Sequence, residues 1–230
     1  MNKAIACFML ASASAALAGD ERNLDFKGVP LGTTLSDFRS WAHPDGNAGT
    51  RVACTGETVR KIGRTEITAP GTAVYDDIER GLGVTKCIWV HAVEDRKNFK
   101  SAGSVAPLLF ASSGFAAYDY SFAFIPDPVD GVPKFYKAVA ISNRQAYGDV
   151  LEALTAKYGD PVATTGSVQN GMGADFPQTT AIWEGENQSI LAEDRFTKID
   201  NMVVIVTDHR LAKPIKDADE AKKAKQVNAI

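Results

Sequence analysis

Period-two alternation is strongest between Tyr118 and Phe124, where Tyr118, Tyr120, Phe122 and Phe124 interleave with Asp119, Ser121 and Ala123. The pattern puts four aromatics on one side of an extended chain and predicts a strand over residues 116–125. A turn rich in Pro, Asp and Gly follows at 126–133. Residues 134–141 then form the natural return strand of a hairpin. Further strands are expected at 26–31, 104–111, 179–184 and 189–195, with Gly185-Glu186-Asn187 as the turn joining the last two. The segment 50–93 is strand-like, with turns at Thr55-Gly56 and Pro70-Gly71 and its clearest strand at 84–93. Met202, Val203, Val204, Ile205 and Val206 are continuously apolar, which marks a central strand buried on both faces. Residues 162–178 are polar and contain glycines, so a loop is expected there.

A helical period appears twice. Leu35, Phe38 and Trp41 fall at intervals of three behind Thr33 or Thr34, either of which can cap a short helix, with Asp37 three residues after Thr34. His43-Pro44-Asp45-Gly46 ends it. In the second helix, 142–158, Tyr147, Val150, Leu151, Leu154 and Tyr158 share a face. Ser142 and Gln145 offer a capping box. Gly159 suits the left-handed position after the helix, and Pro161 blocks extension. Residues 213–230 lack an apolar face and are expected as a charged tail, partly helical at most. There Lys213, Lys216, Lys222, Lys223 and Lys225 outnumber Asp217, Asp219 and Glu220, an excess that suits a solvated tail more than an anionic surface.

The order strand, helix, several strands thus occurs twice, from about Phe26 and again from about Lys134. It predicts an α+β fold in which helices pack on one face of an antiparallel sheet, built as a tandem duplication with halves 19–125 and 126–212. The phrase Phe26-Lys27-Gly28-Val29-Pro30-Leu31-Gly32-Thr33-Thr34-Leu35-Ser36-Asp37-Phe38 resembles the opening of helix-then-sheet units in small exported bacterial proteins. β-Lactamase inhibitor proteins and the small lipoprotein of the outer-membrane assembly machine share that unit, and the inhibitors carry cysteine pairs after the first helix. Ala153-Leu154-Thr155-Ala156-Lys157-Tyr158-Gly159-Asp160-Pro161 is similar to a helix end found in uncharacterised periplasmic proteins. The likeness is confined to these two segments. The chain departs from the pattern in lacking a lipoprotein cysteine and in having a single cysteine pair. The resemblance implies an unknown protein partner and binding, not catalysis.

Composition changes the picture mainly at the N-terminus. Lys3, the apolar run 4–13 and the small-residue box Ala16-Leu17-Ala18 have the order of a secretory leader over residues 1–18, cut before Gly19. The run is too short to span a bilayer, and no later run is long enough, so no transmembrane segment is expected. The expected location is periplasmic or secreted. The net charge of −3 becomes −4 without Lys3, leaving no basic excess for nucleic acid. Cys7 lies in the leader, with too little apolar chain before it for a lipid-modified cysteine. Cys54 and Cys87 remain, and in an exported chain two cysteines most often pair. Closing their loop of roughly 34 residues would stabilise the fold by about 3–4 kcal/mol. They lack the C-x-x-C spacing of a redox catalyst.

Candidate chemistry is sparse. His43 precedes a proline in a turn, and His209 follows Asp208. Adjacent residues on a strand point to opposite faces, an awkward geometry for half of a triad. His91, Glu94 and Asp95 could gather a metal, but their spacing matches no common site, and a strand running into a polar loop is favoured. Ser112-Ser113-Gly114 lacks the strand-to-helix setting of a nucleophile elbow and suits a turn. Gly81-Leu82-Gly83 and Gly171-Met172-Gly173 open no helix, as a dinucleotide loop would. No catalytic, cofactor or metal residue is therefore assigned, and no cofactor is expected. The row Tyr118, Tyr120, Phe122 and Phe124 is either the inward face of a sheet or a binding face. The expected function is non-catalytic binding, most simply of another protein. The alternatives are a small-ligand binder, with a pocket between helix and sheet lined by Trp89, Trp183 or tyrosines, and a hydrolase-type enzyme assembled from scattered residues.

Overall fold

The computed structural model describes residues 24–69, 76–97, 99–110 and 114–227, with side chains to 225. The expected leader, the Pro70-Gly71 turn and Ser112-Ser113 lie outside the described residues. Where one strand was expected at 26–31, the chain forms a tight hairpin of β1 (Asp25–Phe26) and β2 (Val29–Pro30). Lys27 and Gly28 between them both have positive φ, 57° and 82°, the two-residue geometry that matches strand twist. The Asp25 carboxylate accepts the Gly28 N–H at 2.9 Å and braces the turn. α1 (Leu35–Arg39) follows, capped by Thr34 Oγ1, which accepts the Asp37 N–H at 3.2 Å. Five residues cannot hold a helix alone in water, so the fully buried Phe38 anchors it.

β3 (Thr50–Cys54) leads to a small separate hairpin of β4 (Thr58–Ile62) and β5 (Thr65–Thr68). A short helix, α2 (Asp77–Gly81), precedes β6 (Thr85–His91), so the segment expected as strand contains a helical turn. Its signal is Asp76, whose carboxylate accepts the Glu79 N–H at 2.7 Å as an N-cap. Two-residue β7 (Leu108–Leu109) and β8 (Ala116–Ala117) pair with each other. β9 (Asp119–Pro126) and β10 (Pro133–Asn143) form the expected hairpin, with a bulge between Phe135 and Lys137. β10 runs further than expected and takes in Ser142, whose Oγ donates to the Ala116 carbonyl. The capping role falls instead to Asn143, whose Oδ1 accepts the Gln145 N–H at 2.8 Å in a 3₁₀ turn (Arg144–Ala146). α3 (Tyr147–Tyr158) then runs to Gly159, at φ 83°.

Residues 162–178, expected as a loop, are mostly strand: β11 (Val162–Gln169) and the start of β12 (Asp175–Glu184) make a long hairpin. Both faces of β11 are wet, so its polar residues show no alternation in hydropathy. β13 (Gln188–Glu193), β14 (Asn201–Asp208) and α4 (His209–Val227) complete the chain. Eight strands form one antiparallel sheet in the order β11-β12-β13-β14-β10-β9-β6-β3. β14 is interior, with Met202, Val203, Val204 and Val206 buried, as continuous apolarity predicts.

The helices cover both faces, which corrects the one-face expectation. Phe122 and Phe124 share a core with Phe38 of α1 and Val150 of α3. Ala123 and Ile125, on the opposite side of the same strand, pack with Val84, Tyr136 and Leu211 of α4. Of residues 213–230, expected as a charged tail, partly helical at most, 213–227 continue α4 as helix. Leu211, Ala212 and Ile215 in its first turns supply the apolar contact. Cys54 and Cys87 are bonded across β3 and β6, directly opposite one another with Cα atoms 4.0 Å apart. The fold is therefore mixed α and β, with a cross-strand disulfide beside the aromatic core.

Candidate binding cleft

Between α3, the β1–β2 hairpin and β7, the face of the sheet opens into a cleft of about 220 Å³. Its floor is Ile190 of β13 with Val204 and Val206 of β14. α3 contributes Val150 and Leu154, four residues apart on one face, and the small Ala153. Phe26, Leu109 and Phe110 form the facing wall. Leu109 is 45% exposed, a large apolar side chain presented at the opening.

Two polar clusters hold the walls. On one side Lys157 Nζ meets Asp25 Oδ2 at 2.5 Å, and Tyr158 Oη donates to the Asp25 main-chain carbonyl at 3.2 Å. Partial burial works against the Lys157 charge, but the hydrogen bonds to Asp25 and Tyr158 outweigh it and raise its pKa. On the other side Lys27 Nζ donates to Asp45 Oδ1 at 2.9 Å and also to the Leu109 carbonyl. Asp45 Oδ2 accepts the Leu109 N–H at 2.7 Å. The Asp45 N–H in turn donates to His43 Nδ1 at 3.2 Å. That bond requires an unprotonated Nδ1, and burial holds the imidazole below its usual pKa. The hairpin is thereby tied to α3 by Asp25 and to β7 by Lys27 and Asp45. Each rim charge faces an opposite charge, and the interior is apolar. Such an arrangement can grip an apolar group, and its charges serve to hold the walls in place.

The residues singled out in the sequence lie mostly elsewhere. Tyr120, Phe122 and Phe124 are 2%, 0% and 0% exposed, so they form core and no binding face. Tyr120 Oη accepts the Trp89 N–H at 3.1 Å and donates to the Ala106 carbonyl at 2.7 Å, and burial pushes its pKa well up. Tyr118 alone of the row is exposed, at a bend between β8 and β9. Trp89 Nε1 donates to the Trp41 carbonyl and Trp183 Nε1 to that of Gly159. Of the aromatics expected to line a pocket, Tyr158 alone among the described residues reaches the cleft.

The three histidines are apart from one another in role. His43 supports the rim, His91 ends β6 with burial and then Lys100 lowering its pKa, and His209 is exposed at the start of α4. Glu94 pairs with Arg60, and Asp95 accepts the Lys97 N–H. Asp208 Oδ1 accepts the Leu211 N–H at 2.9 Å and caps α4, a role other than orienting its neighbour. Gly83, at φ 72°, turns the chain from α2 into β6, and Gly171-Met172-Gly173 is the tip of the β11–β12 hairpin. The rim residues Asp25, Lys27, Asp45 and Lys157 carried no shared sequence signal, because they come from three segments far apart in the chain: the β1–β2 hairpin, the loop after α1 and the end of α3. Compared with known proteins, the chain matches no family model, no curated protein and no solved structure.

Proposed function

We propose that this chain is an exported, non-catalytic binding protein that takes an apolar anchor of another polypeptide into the cleft beside α3. The observation that carries this reading is an apolar cleft with an exposed Leu109 at its mouth and a self-neutralised polar rim. Its volume, about 220 Å³, falls below the roughly 300–1,000 Å³ usual for small-molecule sites. It suits one or two inserted side chains, the way anchor residues dominate protein interfaces. The Cys54–Cys87 disulfide and the leader-like N-terminus support an oxidising, periplasmic or secreted setting. The placement of α1 before β3, β6 and β9, and of α3 before the β11–β14 meander, supports a duplicated helix-then-sheet unit and the resemblance to exported protein-binding modules.

Ala153→Trp, on the cleft wall, tests the reading by filling the space. A photo-crosslinking residue at position 109 should capture a polypeptide in periplasmic extract, and the Trp variant should lose that adduct while keeping its circular dichroism. Native mass spectrometry of freshly isolated protein addresses the second reading, favoured by the apolar floor: a bound small apolar molecule displaced by Ala153→Trp. An adduct that survives the filled cleft sinks the anchor-pocket reading. Replacing His91 and His209, which lie outside the cleft, separates binding from an enzyme that uses either as its base, since removing a catalytic base costs on the order of 10²–10⁴ in rate.

A further inference from the structure

β11 is the last strand of the sheet. It pairs with β12 without interruption from Val162↔Ile182 to Gln169↔Asp175, and among the described residues no strand pairs with its outer side. Eight residues present roughly 27 Å of backbone, on which alternate residues aim N–H and C=O away from the neighbouring strand. The opposite edge of the sheet is blunted. β3 has five residues, carries Arg51, and is flanked by the Arg39–Glu57 and Arg51–Glu57 ion pairs. Shortness and charge are the usual protections of an edge strand. β11 has neither. Val-Ala-Thr-Thr-Gly-Ser-Val-Gln contains no ionisable side chain and no proline, its ladder has no bulge, and all but one of its residues are exposed.

Symmetry and charge choose the occupant. A two-fold axis lays the strand antiparallel to its own copy, so each side chain meets residues of the same short segment. A charged edge would then oppose like charges, which destabilises cross-strand pairs. β11 brings none, and its Thr164, Thr165 and Ser167 are small, β-compatible partners for one another. We propose that two copies of this chain associate through β11, antiparallel, into one continuous sheet. Strand pairing covers less than the ~1,600 Å² of a standard interface, so the dimer is reversible, with a dissociation constant in the micromolar range.

Sedimentation equilibrium of the disulfide-intact protein over about 1 to 500 µM brackets that range and should show a monomer–dimer equilibrium. Thr165→Lys and Ser167→Lys should each raise the dissociation constant tenfold or more, while Thr165→Val preserves it. Amide exchange of the unmodified protein supplies a second measurement that needs no variant: protection over residues 162–169 should rise with protein concentration. A monomer at every concentration overturns the proposal. So does a dimer indifferent to both lysines, or concentration-dependent protection located elsewhere. Protection of β11 that appears only when a different protein is added assigns the edge to a foreign strand and likewise overturns it. The surface is separate from the cleft, so Ala153→Trp should dimerise like the unmodified chain whatever becomes of the anchor-pocket reading.

Discussion

Truncating Phe38 to alanine tests the packing of the aromatic core at its most concentrated point. Phe38 is 0% exposed, and its ring centroid lies 5.0 Å from Trp89, 4.9 Å from Phe122 and 5.1 Å from Phe124. Removing a buried phenyl ring costs about 3–5 kcal/mol, the upper part applying where the site cannot collapse. Here the surrounding rings stand on β6 and β9, held by the sheet, so only α1 can move to close the void. Phe38 is also the one buried residue of that five-residue helix, so its loss loosens α1. A cost of about 4 kcal/mol lowers the melting temperature by roughly 8–16 °C for a chain of this length. Urea unfolding followed by tryptophan fluorescence measures it, and an unchanged m-value shows that the unfolded state is the same. Trp41→Ala is the control. Trp41 is 37% exposed, and its carbonyl, which accepts from Trp89 Nε1, survives the substitution. Its cost should stay near 1 kcal/mol, an ordinary value for a point substitution. Equal losses at the two positions, or a Phe38→Ala cost under about 1.5 kcal/mol, refute the view that α1 hangs on one ring.

Reduction of Cys54–Cys87 should lower the melting temperature, with about 3–4 kcal/mol at stake from loop entropy, and non-reducing peptide mapping should link the two cysteines. Two freely alkylated thiols in protein from an oxidising compartment would contradict the pairing. His43 and His91 both have pKa values below 6.5, burial being the first cause in each, so the unfolded chain binds more protons. Their contribution to stability is complete above pH 6.5 and is lost as pH falls through the lowered folded-state values, and the double substitution to Gln should flatten that slope. Asp127 behaves similarly at lower pH: the Lys134 ammonium, the Val129 N–H and then Arg210 draw its carboxyl from 3.8 to about 2, so its contribution holds above pH 3.8 and fades toward pH 2. Asp127→Asn should remove that part of the acid dependence. Leu154→Ala, at a half-buried wall position, should cost more than Glu152→Ala, which should stay within about 0.5 kcal/mol.

What the sequence discloses follows from how many environments a pattern samples. The β9–β10 hairpin was legible because aromatic alternation and a Pro-Asp-Gly turn agree, and α1 because Thr34, Asp37 and Phe38 combine cap and anchor. β14 was legible because Val203 and Val204 are both buried, on opposite faces. β11 was not, since Thr164, Thr165 and Ser167 are wet on both sides and their propensity is visible only once β12 pairs with them. α4 shows no such pattern, because its apolar contact is concentrated in Leu211, Ala212 and Ile215. The rest of the helix is supported by i,i+4 pairs such as Lys213–Asp217 and Asp219–Lys223, which leave no stripe.

The cleft was hidden for a different reason. Alternation identified Tyr120, Phe122 and Phe124 as a face but could not say whether water or protein lay beyond it, and α1 supplies the protein. Once α1 covers one part of the sheet and α3 another, the strip over Ile190, Val204 and Val206 depends on whatever bridges the gap. The bridge is the two-residue turn at Lys27-Gly28, held outward by Asp25 and Asp45. A hairpin of only two residues per strand is marginal alone, so its position rests on the buried Phe26 and Val29 together with those polar ties to α3 and β7. Cutting one tie should therefore change the cleft without unfolding the sheet. Asp45→Asn removes charge at a point where Lys27, Leu109 and His43 converge. It is expected to increase amide exchange at Leu109, while the β14 amides keep their protection. Exchange that stays slow at Leu109 would mean that apolar packing of Phe26 and Phe110, and no polar clamp, holds the mouth in place.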